Sequence, residues 1–185
     1  RGLSELLVEL EGHGREEIFD DLDVSRTVGW FTTHYPVLLS TAPSASATEA
    51  LRGIAARLKE VPMRGLGYGL IRSGNENPAA VLFNYLGQMD GLLTAEASWS
   101  LLFGNVGREH SPGTRRLYLF EIDGMILEGN LRLTWTYNRD AYERVAIEQL
   151  TGLYTRHLQQ LVRPQSASAR AFEPAAAARV GGIAR

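Results

Sequence analysis

Leu3 to Glu16 reads LSELLVELEGHGRE, and whether its first half is helix or strand decides the fold. Leu3, Leu6, Leu7 and Leu10 make a helical stripe, whereas Leu6, Val8 and Leu10 alternate as a strand does. These residues alone leave the two readings even. Outward from them, Glu16 to Ser25 (EEIFDDLDVS) is acidic and reads as a solvated turn or short helix. Thr33 to Ser40 carries Tyr35-Pro36-Val37-Leu38-Leu39, a strand whose proline sits near its start, where a missing N–H is tolerated. Leu51, Ile54, Ala55, Leu58 and Val61 recur at helical spacing; Ser46 or Thr48 can cap that helix and Pro62 stops it.

Arg64 to Asn77 is glycine-rich, then polar, and Ala79 to Leu86 is a continuous apolar run that reads as a buried strand. Asn105 to Gly113 reads as a loop, and Leu117, Leu119 and Ile122 suggest a strand. Leu131, Leu133, Trp135 and Tyr137 alternate with Arg132, Thr134 and Thr136, a half-buried strand. A turn near Asp123-Gly124 would make these last two strands antiparallel. A final helix begins near Asp140 and sets Ile147, Leu150, Tyr154, Leu158 and Leu161 on one face. Strands and helices interleave without a regular βαβ rhythm. The expected class is α/β of the α+β kind: a mixed, largely antiparallel sheet with helices on one face. Residues 1–163 read as the folded lobe, and residues 164–185, rich in Ala, Ser and Arg, as a linker or tail.

Bulk properties narrow the function classes. With 44% hydrophobic and 22% charged residues the chain can build a core, and a net charge of −2 gives no footprint for nucleic acid or an anionic membrane. Cysteine is absent, so a disulfide framework, a thiolate metal site and a cysteine nucleophile are excluded within the chain, and a cytoplasmic setting fits. No apolar run approaches the roughly 20 residues of a membrane span. The start at Arg1 in place of Met reads as an excised or processed segment. His110 and His157 stand alone without metal-ligand spacing, and no GxSxG elbow occurs. GLGYGLIR (Gly65 to Arg72) lacks the preceding strand, following helix and closing acidic residue of a dinucleotide loop. Its glycines read as room for tight chain passage around a packed Tyr68.

Four signatures stand in fixed order: EGHGRE (Glu11 to Glu16), RTVGWFTTHYPVLL (Arg26 to Leu39), GLGYGLIR and FNYLGQ (Phe83 to Gln88). Over residues 3 to 162 the chain resembles the C-terminal half of a nonribosomal peptide synthetase epimerization domain, a relative of condensation domains. The resemblance favours a strand before EGHGRE and implies a chloramphenicol acetyltransferase-like lobe that pairs with a second lobe across a tunnel. It also implies an L/D epimerization at the α-carbon of an aminoacyl or peptidyl thioester. The substrate would hang from the phosphopantetheine arm of a peptidyl carrier protein, so the domain needs no cofactor of its own. The other implied partners are the N-terminal lobe of the same domain and adjacent synthetase modules. The family's HHxxxDG motif lies on that N-terminal lobe, and this chain has no His-His pair.

An epimerase must remove an α-proton and return one to the opposite face, which needs acid/base groups on both sides of the carbon. EGHGRE puts Glu11, His13 and Glu16 within six residues. Read as chemistry alone, they are charges on a turn. The resemblance makes Glu11 the catalytic acid/base and gives His13 a structural place beside the substrate; Glu16 is the fallback acid/base and reads as anchoring the turn, and Arg15 reads as paired to a nearby carboxylate. Trp30 and Phe31 read as core packing, with Trp30 lining the substrate tunnel in the functional reading; His34 reads as an exposed variable position. Tyr85 and Asn84 could each donate a hydrogen bond to an enolate-like oxygen; the resemblance favours Tyr85 as the second catalytic group, with Asn84 touching substrate. On a strand these two side chains point to opposite faces. Two alternatives remain: a condensation lobe that forms a peptide bond, and a non-catalytic lobe that docks a carrier protein.

Overall fold

The ambiguous stretch is a strand. The computed structural model describes residues 5–42, 46–71, 79–90, 111, 114–162 and 180–181. The chain divides into two units, Arg1–Asn84 and Tyr85–Arg185. In the first, β1 (Glu5–Gly12) pairs antiparallel with β2 (Thr33–Ser40) along its whole length, from Glu5 opposite Ser40 to Gly12 opposite Thr33. The other edge of β1 pairs in parallel with β3 (Val81–Gln88): Val8 meets Val81, Glu9 meets Leu82 and Leu10 meets Phe83. The central position of β1 explains why strand won over helix. Pairing on both edges satisfies its backbone, and Val8 and Val37, directly opposite each other, are both buried.

Helix α1 (Ala47–Lys59) starts with a capping box: Ser46 accepts from the Glu49 N–H, and the Glu49 carboxylate accepts from the Ser46 N–H at 2.8 Å. The Ser46 hydroxyl, which donates to the same carboxylate at 2.7 Å, and then the Ser46 N–H hold the Glu49 carboxyl below its ordinary value. The chain leaves α1 at Glu60 and enters a 3-10 turn at Pro62–Gly65, followed by the short α2 (Tyr68–Ile71). Of the glycines in GLGYGLIR, Gly65 is the one the fold requires: at φ +80°, a Cβ there would lie 2.0 Å from the Tyr35 ring. A Cβ at Gly67 would make only an ordinary contact with the Met63 side chain at 3.8 Å, and Gly69 has open space around it.

In the second unit, β4 (Phe120–Leu127) and β5 (Asn130–Tyr137) form an antiparallel hairpin. The turn is not at Asp123-Gly124, which sit inside β4 opposite Thr134 and Leu133. It is at Glu128-Gly129, both at positive φ (53° and 69°), the type I′ geometry that matches strand twist. The Asp90 carboxylate accepts from both turn N–H groups. Leu117 and Leu119 precede β4 and are exposed, so the strand begins later than the sequence pattern implies. Leu133, Trp135 and Tyr137 are buried on one face of β5, as their alternation requires. Helix α3 (Arg144–Val162) brings Ile147, Thr151 and Tyr154 inward. Tyr154 meets Trp135 edge-on at 5.3 Å, and Trp135 meets Phe120 at 6.2 Å. Leu150, expected on the inner face, is 38% exposed, and Thr151 beside it is the buried residue. A short β6 (Val180–Gly181) pairs in parallel with β5. Most of the expected Asn105–Gly113 loop and most of the tail lie outside the described residues. Among the described residues no helix is long and apolar enough to cross a membrane.

Candidate functional site

Strand periodicity places Leu7, Glu9 and Glu11 on one face of β1, and the antiparallel register places Leu38, Pro36 and His34 directly opposite them. Toward the end of β1 this face is therefore charged. Glu11 is partly exposed, its side chain at 22%. Its Oε1 lies 3.9 Å from the His34 Nε2. The His34 side chain is 39% exposed, as the sequence implied, yet its Nδ1 lies 3.8 Å from Oε1 of Glu9. Glu9 itself is only 2% exposed. The β1–β3 register continues this face onto Leu82 and, two residues on, Asn84. Glu9 and His34 did not figure among the sequence candidates.

Past Glu11 the chain turns through the rest of EGHGRE. Gly14 adopts φ +66°, and a Cβ there would fall 1.6 Å from the carbonyl oxygen of Phe31. Only glycine lets the chain pass so close to that strand entrance. His13 is exposed and folded back on its own turn: Nδ1 accepts the Arg15 N–H at 3.0 Å, and Nε2 lies 3.2 Å from Oε1 of Glu16. With Nδ1 accepting, the ring proton belongs on Nε2, facing Glu16. The other Glu16 oxygen lies 3.6 Å from Nε of Arg64. Glu16 is thus the tie between this turn and the 3-10 turn after α1. Burial raises the Tyr35 phenol above its ordinary value; neighbouring Arg64 opposes that rise and Glu16 adds to it.

Among the described residues Arg15 does not pair with a carboxylate as expected. Its guanidinium donates to the carbonyls of Val24 and Gly29 and lies over the Phe31 ring at 4.2 Å. One cation thereby gathers the acidic 16–30 segment back onto β2. Phe31 is half-buried under it. Trp30 is not core: it is 89% exposed, because Arg15 holds the Gly29 carbonyl and the Phe31 ring on either side of it.

Tyr85 opens the second unit and is 51% exposed. The apolar run Ala79–Leu86 is thus buried only toward its start, with Ala79 covered and Tyr85 and Leu86 open. The structure brings Glu11 together with His34 and Glu9; it sets His13 against Glu16. Among the described residues no group of His, Cys, Asp and Glu side chains could hold a metal ion. What remains is a carboxyl at the exposed end of a strand, with an imidazole beside it and a buried carboxyl behind.

Comparison with known proteins gives this arrangement a family context. Residues 2–173 match the family model described as Condensation domain. The chain is 41% identical over 187 residues to a linear gramicidin synthase protein of Brevibacillus parabrevis, a match that covers 94% of this chain and 4% of that protein. It is 33% identical over 177 residues to tyrocidine synthase 1 of the same organism, covering 86% of this chain and 16% of the relative. Among solved structures, the epimerization domain from the third module of tyrocidine synthetase B matches at TM-score 0.71 and 29% identity. That match covers 86% of this chain and 37% of the solved one. The chain therefore spans only a small part of the curated relatives it matches.

Proposed function

The chain belongs to the condensation-domain family and has the expected chloramphenicol acetyltransferase-like lobe architecture; from that premise we propose that it is the C-terminal lobe of an epimerization domain in a nonribosomal peptide synthetase. The proposed reaction interconverts the L and D forms at the α-carbon of an aminoacyl or peptidyl thioester. The substrate is carried on the phosphopantetheine arm of a peptidyl carrier protein, and the setting is cytoplasmic. The other partners are an N-terminal lobe bearing the histidine motif and neighbouring synthetase modules. Residues 1–163 are the lobe in this reading, with 164–185 as a linker.

The observation that carries the proposal is the placement of Glu11: a carboxyl at the end of a central strand, partly shielded, with an imidazole 3.9 Å away. Glu11 takes the α-proton, and the C–H electron pair moves onto the thioester carbonyl oxygen as an enolate. A group on the other lobe returns a proton to the opposite face, the carbonyl re-forms, and mass is unchanged. Tyr85 is proposed as a hydrogen-bond donor to the enolate oxygen, and Asn84, Trp30 and His13 as residues beside the substrate.

The test uses the intact synthetase module with its carrier loaded with an L-aminoacyl group, in deuterated water. Glu11→Gln should depress α-hydrogen exchange by about 10²- to 10⁴-fold, whereas Glu148→Gln, on the exposed face of α3, leaves it unchanged. Near-normal exchange in Glu11→Gln refutes the assignment, and a loss confined to Glu16→Gln moves it to that residue. A condensation lobe is the second reading, favoured by the family model itself. Product mass separates the two, since condensation adds a residue and epimerization does not.

A further inference from the structure

We infer that Glu9 and His34 are positioning residues for Glu11, the three side chains forming a carboxylate–imidazole–carboxylate chain across β1 and β2. The inference rests on the proposed role of Glu11. Its starting point is the burial of Glu9. This carboxyl is flanked in sequence by Val8 and Leu10, with Pro36 opposite it on β2 and Leu82 beside it on β3. Taking a carboxylate out of water costs several kcal/mol, which a partner only partly returns. An apolar residue of the same volume would hold a central strand as well or better. Position 9 therefore carries a stability cost that the fold does not ask for, and such costs concentrate at functional sites.

His34 supplies the reason. The antiparallel register puts it directly opposite Glu11, and strand periodicity puts Glu9 two residues back on the same face. The two ring nitrogens are thereby divided, Nδ1 toward Glu9 and Nε2 toward Glu11. A neutral imidazole has one N–H and serves one carboxylate; an imidazolium has two and serves both. The half-exposed ring thus sits at ion-pair distance from the buried Glu9 carboxyl on one side and from Glu11 on the other, and in this inference it biases where the Glu11 carboxyl rests at the strand end. The other histidine of this region does nothing comparable, because both of its nitrogens are engaged within the EGHGRE turn. Glu9 is too buried to meet substrate, so its effect is exerted through His34.

The test is made in the intact synthetase module with its loaded carrier, reading kcat and KM for α-hydrogen exchange together with urea stability. His34→Phe keeps a ring of similar size without its nitrogens. Glu9→Leu keeps the volume and removes the charge. Each should lower kcat about 10- to 100-fold, the scale expected for a reacting group displaced by an ångström or less. KM should stay within about twofold, because the substrate contacts are untouched. The double variant should be no slower than the slower single one, since either change already breaks the chain. Glu9→Leu should be as stable as the parent or more so, which separates positioning from a structural role. Wild-type kcat in either single variant, or a kcat loss that tracks a stability loss, overturns the inference. Absence of α-hydrogen exchange in the unsubstituted module overturns the epimerase reading, and this inference with it.

Discussion

Gly14→Ala tests whether the EGHGRE turn is fixed by backbone geometry, as the structure requires. Two costs act at this position. The residue sits at φ +66°, and the left-handed region costs an L-residue about 1–2 kcal/mol relative to glycine. The new methyl would also fall 1.6 Å from the Phe31 carbonyl oxygen and 2.7 Å from its carbon. Those are backbone atoms two residues before the paired β2, not the end of a flexible side chain; relieving the clash adds about 1–3 kcal/mol. Against this, alanine restricts the unfolded chain and returns about 0.4–1 kcal/mol. The net expectation is a loss of about 1–5 kcal/mol, an appreciable share of the ~5–15 kcal/mol that holds an ordinary domain. Urea unfolding followed by circular dichroism should show the midpoint falling by about 0.5 M or more, with little change in slope. Gly53→Ala is the internal control. It lies inside α1 with nothing within 4 Å of the added methyl, and should gain about 0.5–1 kcal/mol. If Gly14→Ala unfolds at the parental midpoint or above, the close passage of this turn across Phe31 is wrong.

Two further predictions concern the second unit. Asp90→Ala removes the acceptor for both N–H groups of the Glu128-Gly129 turn and should cost about 1–2 kcal/mol; hydrogen exchange should quicken at the β4–β5 turn, and unchanged protection there would contradict the contact. Burial raises the Tyr154 phenol above its ordinary value of 10.0, so the folded chain binds that proton more tightly than the unfolded chain. Its contribution to stability is present below about pH 10 and is lost as pH rises through the folded value. Tyr154→Phe should flatten the alkaline fall in urea stability, and an identical slope in both proteins would show that the phenol is not desolvated.

How far the residues alone revealed this molecule depended on the range of the interactions involved. Thr33–Ser40 and Asn130–Tyr137 were readable as strands because proline placement and strict alternation are local signals. The α1 helix was readable from its spacing, its serine cap and the proline beyond it. Leu3–Leu10 was not decidable locally, since the partners that make Glu5–Gly12 a strand lie in β2 and β3. The Asp-Gly pair at 123–124 carried a strong turn signal, yet the hairpin closes at Glu128-Gly129, where Asp90 stabilises the turn from 38 residues away. Trp30 looked like core on hydrophobicity, but the Arg15 clamp around it decided otherwise.

The candidate site divides in the same way. Glu11, His13 and Glu16 stood out because they crowd one motif. Glu9 lies outside that motif and reads in the sequence as one more acidic residue, although its spacing of two from Glu11 on a strand implies a shared face. His34 could be joined to both only once the β1–β2 register was known.

The parallel partnership of β1 and β3 bears on how the chain is made. Roughly seventy residues separate Val8 from Val81, and at ribosomal rates of about 5–20 residues per second they take several seconds to emerge. Throughout that interval β1 has at most β2 beside it, and its other edge is an open template for any extended neighbour. Glu5, Glu9 and Glu11 place negative charge along that edge, so a second nascent copy aligned against it meets repulsion. These carboxylates would thus act as guards against misassembly on the polysome.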